Sequence, residues 1–208
     1  MPPTSAEGGV GGYRHGRVPR AVRAEQLLDV ATQLFLEHGY NGFSMGALCA
    51  AAGVSRPVAY EYFASKDAAY LACVEQIRGT YERLLAEHVA GVEGRDDLAR
   101  RASDFFMSYV AQNPRSWNLI RSSTTLDGPV GDQLRALQVS NIAQISTFVQ
   151  PFAPKASADE VTAAAYAVSG AGVMLAEWLL SEQSVGVQAT ADHFRVAILA
   201  MVGHLVDR

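Results

Sequence analysis

The stretch GVSRPVAYEYFASK, Gly53 to Lys66, decides how the chain is read. It has the length of a short helix, opens on a Gly-Val turn, and crowds Pro57, Tyr60, Tyr62 and Lys66 close together. A core helix buries its aromatic residues at one helical spacing. Here Tyr60 and Phe63 share a face, Tyr62 points elsewhere, and Arg56, Glu61 and Lys66 are polar. That pattern implies a surface in contact with something outside the protein.

Local signals on both sides define the setting. Ser55 stands at the N-cap and Pro57 in the first turn, where a missing N–H costs nothing. Just upstream, Ser44 caps a short helix, Met45 to Ala52, and Gly53 ends it. Two short helices joined through a glycine turn are the helix-turn-helix arrangement. From Arg20, Ala24, Leu27, Leu28, Ala31, Leu34 and Phe35 mark one buried helical face, with Gly39 as its left-handed stop and Asn41-Gly42 continuing the turn. Leu48, Val54 and Phe63 are the apolar residues expected to hold the pair against this first helix. Ser65 then caps a long helix, residues 66–90, striped by Leu71, Val74, Ile77, Tyr81, Leu84, Leu85 and His88. At 1.5 Å per residue it spans on the order of 35 Å and connects the small N-terminal unit to whatever follows. Gly91 and Gly94 close it.

If the second short helix enters a major groove, its first side chains face base edges and its flanks face phosphates. Tyr60 and Tyr62 carry phenolic O–H groups on rigid stems, suited to phosphate oxygens. Lys66 adds a cation at the start of the long helix, and Ser44 and Ser55 occupy the two caps beside free backbone N–H groups. Arg56 suits guanine O6 and N7, Val58 a thymine methyl, and Glu61 the amino group of cytosine.

The stretch LLDVATQLFLEHGYNGFSMGALCAAAGVSRPVAYEYFASKDAAY, Leu27 to Tyr70, resembles the N-terminal domain of the TetR family of bacterial transcriptional regulators. The resemblance rests on F-x-x-x-G-Y at Phe35 to Tyr40, the A-G-V-S turn at Ala52 to Ser55, and Y-x-Y-F-x-S-K at Tyr60 to Lys66. It implies an all-α homodimeric regulator whose DNA binding responds to a small molecule. Tyr60, Tyr62 and Lys66 then fall on the family's phosphate-contacting positions, and Arg56, Pro57, Val58 and Glu61 on its recognition-helix face. Two departures bear on the sequence read: Gly46 stands where many relatives carry a polar residue, and Pro57-Val58 replaces a small, hydroxylated pair.

Net charge is −4, which becomes informative when divided. Up to Lys66 there are six basic and five acidic residues, and after it eleven and sixteen. Arg14, Arg17, Arg20 and Arg23 form a basic run without an intervening acid. Phosphate contact needs local rather than overall positive charge, so the asymmetry permits DNA at the N-terminal end. Residues 1–19 are rich in Gly and Pro and read as a disordered basic arm, either a solvated tail or a segment lying along DNA. Cys49 and Cys73 are too few for a disulfide framework or a zinc site and suit a reducing cytoplasm. No secretory signal is evident. The uncharged run Val161 to Ala176 falls short of the roughly 20 apolar residues a bilayer demands, so it reads as a soluble helix and no membrane is expected.

Domain organisation follows: a helix-turn-helix DNA-binding domain, residues 20–65, and a helical ligand-binding and dimerisation domain, residues 66–208, whose first helix is the connector 66–90. Further helices are expected at roughly 96–112, 114–124, 129–150, 157–182 and 189–207. Ser157 and Glu160 form a capping box at the start of the penultimate one. That helix has two apolar faces, Val161, Ala164, Val168, Ala171, Leu175 and Leu179 on one, and Ala163, Ala167, Gly170, Met174 and Trp178 on the other. A second copy is expected to cover the surplus in a four-helix bundle formed by the last two helices, with close approach at Gly170, Gly172 and Gly203.

The middle helices read as a pocket for a small, largely apolar or aromatic molecule. Phe105, Phe106, Tyr109, Trp117, Leu137 and Phe148 are bulky, with Asn118, Arg121, Asn141 and Gln144 among them, and Trp178 is counted with this set. Amides at Asn141 and Gln144, on the face of Leu137 and Phe148, call for a hydrogen-bonding partner. No cofactor and no metal are expected, since the five histidines are scattered and no catalytic motif occurs. The expected function is that of a repressor released from a palindromic operator by its ligand. The alternatives are a protein that coats DNA without regard to sequence, or an all-helical enzyme.

Overall fold

A computed structural model describes residues 19–122, 128–182 and 184–206. The arm read at residues 1–19 lies outside these apart from Pro19, as does the expected helix end at 123–124. The described residues form nine α-helices and no strand, joined in one place by a single 3₁₀ turn at Gln150–Phe152. The helices are α1 Arg20–Gly42, α2 Met45–Ala52, α3 Arg56–Tyr62, α4 Lys66–His88, α5 Arg95–Gln112, α6 Pro114–Ser122, α7 Gly128–Val149, α8 Ala158–Ser181 and α9 Val187–Val206.

The ends are set by the groups that satisfy free backbone donors and acceptors. Ser44 Oγ accepts from the Ala47 N–H and Ser65 Oγ from the Ala68 N–H, each at 3.1 Å. Ser157 and Glu160 make the reciprocal capping box that starts α8. Ser55 holds the N-cap position of α3 but makes no side-chain capping hydrogen bond, and Pro57 in the first turn has no N–H to offer. Gly53 takes φ +63° between α2 and α3, a left-handed conformation that other residues adopt only at a cost. Gly39, at φ +67°, does not end α1 outright. It kinks the helix, and one more turn follows before Phe43, whose ring stacks on Phe35 at 3.9 Å.

Three apolar clusters organise the packing. One collects Leu27, Ala31, Phe35, Phe43, Leu48 and Phe63 from α1 to α3 with their flanking turns, Ala69, Tyr70, Cys73, Val74 and Ile77 from α4, and Leu119, Val130 and Leu134 from α6 and α7. The N-terminal helices therefore complete their core with residues from far beyond position 65. Polar groups pin the same seam, with Thr32 Oγ1 donating to Gln76 Oε1 at 2.9 Å and Gln76 Nε2 donating to Asp29 Oδ1 at 3.0 Å. The second cluster joins α5, α8 and α9. The third, around Leu85, Val89 and Leu98, closes the turn from α4 to α5.

The two faces read on α8 separate cleanly. Val161, Ala164, Val168 and Leu179 are buried with Ala171 and Leu175 packed behind them, whereas Ala163, Ala167, Gly170, Met174 and Trp178 are exposed. Gly172 is a correction, because it faces the interior and not the outer seam. A Cβ there would lie 2.9 Å from Phe194 Cζ and 3.3 Å from Phe106 Cε1. The length argument for α8 also changes: at 24 residues it is long and apolar enough to cross a membrane by those criteria alone.

Candidate nucleic-acid interface and interior cavity

The first site lies on α3 and the start of α4. Ala59 is the only fully buried residue of α3 and fastens it to the core. Ser55, Arg56, Pro57, Tyr60 and Glu61 are exposed, while Val58 and Tyr62 are half-buried. Arg56 reaches back toward α2, so that a Cβ on Gly46 would lie 3.9 Å from its Nη2. The bare glycine leaves that guanidinium room to move. Ser44 is exposed at the cap of α2, on the same side of the turn. The Arg20 guanidinium stands 6.0 Å from the Tyr62 ring centre, bringing the first residue of α1 to this surface.

Lys66 begins α4. Its ammonium lies 4.3 Å from the centre of the Tyr40 ring, and the Tyr40 phenol donates a hydrogen bond to Asp67. That bond, joined by partial burial and the carboxylate's charge, pushes the Tyr40 phenol up to about 12. The nine residues predicted for DNA lie on α3 and at the starts of α2, α3 and α4, and the fold brings Arg20 to Tyr62 and Tyr40 to Lys66. Neither addition stands at a helical spacing that sequence alone would have linked to Tyr62 or Lys66.

The second site is a cavity of ≈ 170 Å³ enclosed by α4 to α9. The far half of α4 supplies Arg78, Tyr81, Glu82 and Leu85, α5 supplies Phe106 and Tyr109, and α6 supplies Trp117. Across from them stand Asn141, Gln144 and Phe148 of α7, Ser169 and Gly172 of α8, and Phe194 and Ile198 of α9. Rings interlock around it: Phe106 meets Trp117 and Phe194 at 5.4 Å each, and Tyr81 meets Tyr109 at 5.1 Å. Burial raises the phenols of Tyr81 and Tyr109 above the ordinary tyrosine range, so both remain neutral donors. Arg78 Nη2 donates to Glu82 Oε1 at 3.2 Å, so the two opposite charges face each other as an ion pair at the cavity wall. The Trp117 indole N–H is buried without an acceptor, an arrangement that costs stability unless a guest or a shift of the ring supplies one.

Six of the eleven residues predicted for the pocket line this cavity: Phe106, Tyr109, Trp117, Asn141, Gln144 and Phe148. The other five lie off it. Phe105 packs behind the wall against the cluster of Leu85, Val89 and Leu98. Leu137 belongs to the N-terminal core, because the first half of α7 runs beside α4 and α6. Asn118 is exposed, Arg121 pairs with Glu177 of α8 at 2.9 Å, and Trp178 is 42% exposed on the outer face. The α4 contribution was missed. Arg78 and Glu82 are spaced i, i+4 beside the Tyr81 stripe, and that paired polar strip on an apolar helix is the signal that would have marked it. Among the described residues no group of three or more His, Cys, Asp or Glu side chains could hold a metal ion.

Comparison with known proteins bears on the first site most directly. Residues 27–73 match the family model described as bacterial regulatory proteins, tetR family. An HTH-type transcriptional activator, FasR, of Mycolicibacterium smegmatis is 31% identical over 111 residues, covering 53% of this chain and 51% of its own length. The chain thus spans about half the length of that curated relative. A TetR-like transcriptional regulator from Rhodococcus sp. RHA1 superposes with TM-score 0.67 at 26% identity, over 90% of this chain and all of that one. The fold alone is shared with FadR from Bacillus subtilis, solved in complex with stearoyl-CoA, with TM-score 0.73 at 13% identity over 85% and 98% of the two chains. The helix-turn-helix at residues 27–73 is thus matched in sequence by the tetR family of bacterial regulatory proteins, and the order of the helices is matched in structure by a TetR-like regulator.

Proposed function

We propose that the protein is a cytoplasmic repressor that binds a palindromic operator as a homodimer and leaves it when a small, largely apolar or aromatic molecule fills the cavity. One observation carries this reading. The helix that begins with Lys66 on the DNA side ends in the cavity wall with Arg78, Tyr81, Glu82 and Leu85. Any guest that shifts α4 therefore shifts Lys66 and, through Phe63 and the short connection to Ser65, the end of α3. A guest preferring the released form a hundredfold supplies about 2.7 kcal/mol of coupling.

The exposed Met174, Trp178 and Tyr166 of α8 and Val196 and Met201 of α9 support pairing of two copies through these helices. Such a pair has to set its α3 helices about 34–36 Å apart to enter successive major grooves. It also gives α8 its second apolar neighbour, which supports the reading of a soluble helix. The cavity supports a compact guest, since ≈ 170 Å³ is close to the ~150 Å³ cavity that accommodates benzene. A long acyl chain such as the one bound by FadR would require the helices to part. Activation is the second reading, favoured by the activator FasR among the relatives.

Genomic fragments recovered on the purified protein, then titrated at two salt concentrations, test the proposal. An enriched palindrome bound far above random DNA is expected, and its position relative to promoters separates repression from activation. Uniform recovery with a steep salt slope would instead identify a coating protein.

A further inference from the structure

The interface contains one group that neither faces DNA nor belongs to a helix face predicted to do so. Tyr40 follows the left-handed Gly39, which bends α1 and carries the ring to the start of α4. There the ring has three neighbours. Its face receives the Lys66 ammonium at 4.3 Å, its hydroxyl donates to Asp67, and the fully buried Tyr70 packs against it at 5.0 Å and 73°. The ring is thus fixed from two sides while Lys66, half-buried, rests on it.

We infer that Tyr40 is a positioning residue for DNA binding, holding the Lys66 ammonium over its ring so that the cation meets a backbone phosphate already oriented. This rests on the reading of Lys66 as a phosphate contact. A free lysine side chain has many rotamers to lose when it is immobilised. The ring's negative face removes part of that freedom before DNA arrives, and packing against the buried Tyr70 keeps the ring from turning away, with the Asp67 bond in addition. A cation–π interaction of this exposure corresponds to roughly a two- to fivefold change in affinity for each Lys66 engaged.

The experiment uses the full chain and a random-sequence duplex at low salt, because phosphate binding is independent of sequence. Tyr40→Leu, Lys66→Met and the double variant are titrated beside the wild type. Lys66→Met is expected to reduce the salt slope by about 0.9 for each phosphate that the ammonium neutralises in the wild type. Tyr40→Leu is expected to weaken binding two- to fivefold with Lys66 present and to add nothing in the Lys66→Met background. Equal weakening in both backgrounds would mean that the ring supports the fold rather than the ammonium, and would overturn the proposal. A Lys66→Met variant that binds with unchanged affinity and slope would overturn the reading of Lys66, and the proposal with it. A second series preserves the shape of the site: Tyr40 replaced by phenylalanine and then by phenylalanines bearing more ring fluorines, which weaken the negative face. Binding close to wild type for phenylalanine, declining with each fluorine, is expected. A flat series would refute the role of the ring face even where Tyr40→Leu loses its fold.

Discussion

Replacing Gly172 by alanine tests the interior in one step. The new methyl would sit 2.9 Å from Phe194 Cζ and 3.3 Å from Phe106 Cε1, where carbon atoms prefer about 3.5–4.0 Å. Phe194 cannot simply swing aside, because its ring is buried and lies 5.4 Å from that of Phe106, which lies 5.4 Å from Trp117. Overpacking of this kind costs about 1–3 kcal/mol. Phe194 also lines the cavity, so part of this strain is relieved by pressing its ring into that space. Alanine in mid-helix returns about 0.5–1 kcal/mol relative to glycine. The net expectation is a destabilisation of up to about 2 kcal/mol, with about 1 kcal/mol lowering Tm by about 2–4 °C in a chain of this size. The retreating ring also occupies the space a guest would use. Thermal unfolding at fixed protein concentration, with and without saturating benzene, reads both effects. Benzene is expected to raise the Tm of the wild type and to do so less in the variant. A variant more stable than wild type by the full helical gain, with an undiminished benzene response, would show that Gly172 is not there to keep space open.

Three further outcomes follow from named contacts. Tyr70→Phe removes the hydroxyl that donates to the Leu119 carbonyl at 3.1 Å, but that carbonyl also accepts from Ser122 Oγ at 3.0 Å, so the loss is about 0.5–1.5 kcal/mol in a urea titration, below the cost of a stranded acceptor. The folded-state pKa of Tyr40 lies above its unfolded value of 10.0, at about 12, so its contribution is complete below pH 10 and lost as pH rises toward 12. Stability measured across that window is expected to fall, and Tyr40→Phe to flatten part of the decline. Charging the outer face by Met174→Glu with Val196→Glu, both positions more than 60% exposed, is expected to yield a monomer in sedimentation with unchanged helical content.

Features determined within a few residues were legible from the chain. Gly53, the caps at Ser44 and Ser65, and the box at Ser157 and Glu160 depend on local backbone geometry, and all stand as expected. The α3 surface was legible for a related reason: its polar and aromatic residues have no interior alternative over so short a helix. What sequence spacing does not encode is which long-range neighbour a face meets. Tyr40 reaches Lys66 only because Gly39 kinks α1 instead of ending it. Small residues on α8 looked alike, so Gly172 was grouped with Gly170, although one faces two phenylalanine rings and the other open space. Leu137 and Phe148 share a face of α7, yet that helix is long enough for its two halves to serve different clusters.

The first apolar cluster constrains how such regulators can be recombined. Its members run from Leu27 on α1 through Ile77 on α4 to Leu119 and Leu134 on α6 and α7. A chimera spliced after Ser65 would separate Phe35 and Phe63 from the side chains that cover them and leave two wounded surfaces rather than two modules. Exchanging the DNA-reading end between relatives therefore means carrying the first half of α4 along, and matching the residues at 119, 130 and 134 to the newcomer. Under the proposed function, a change of operator preference is easier to acquire by substitutions on the exposed side of α3 than by trading the whole head.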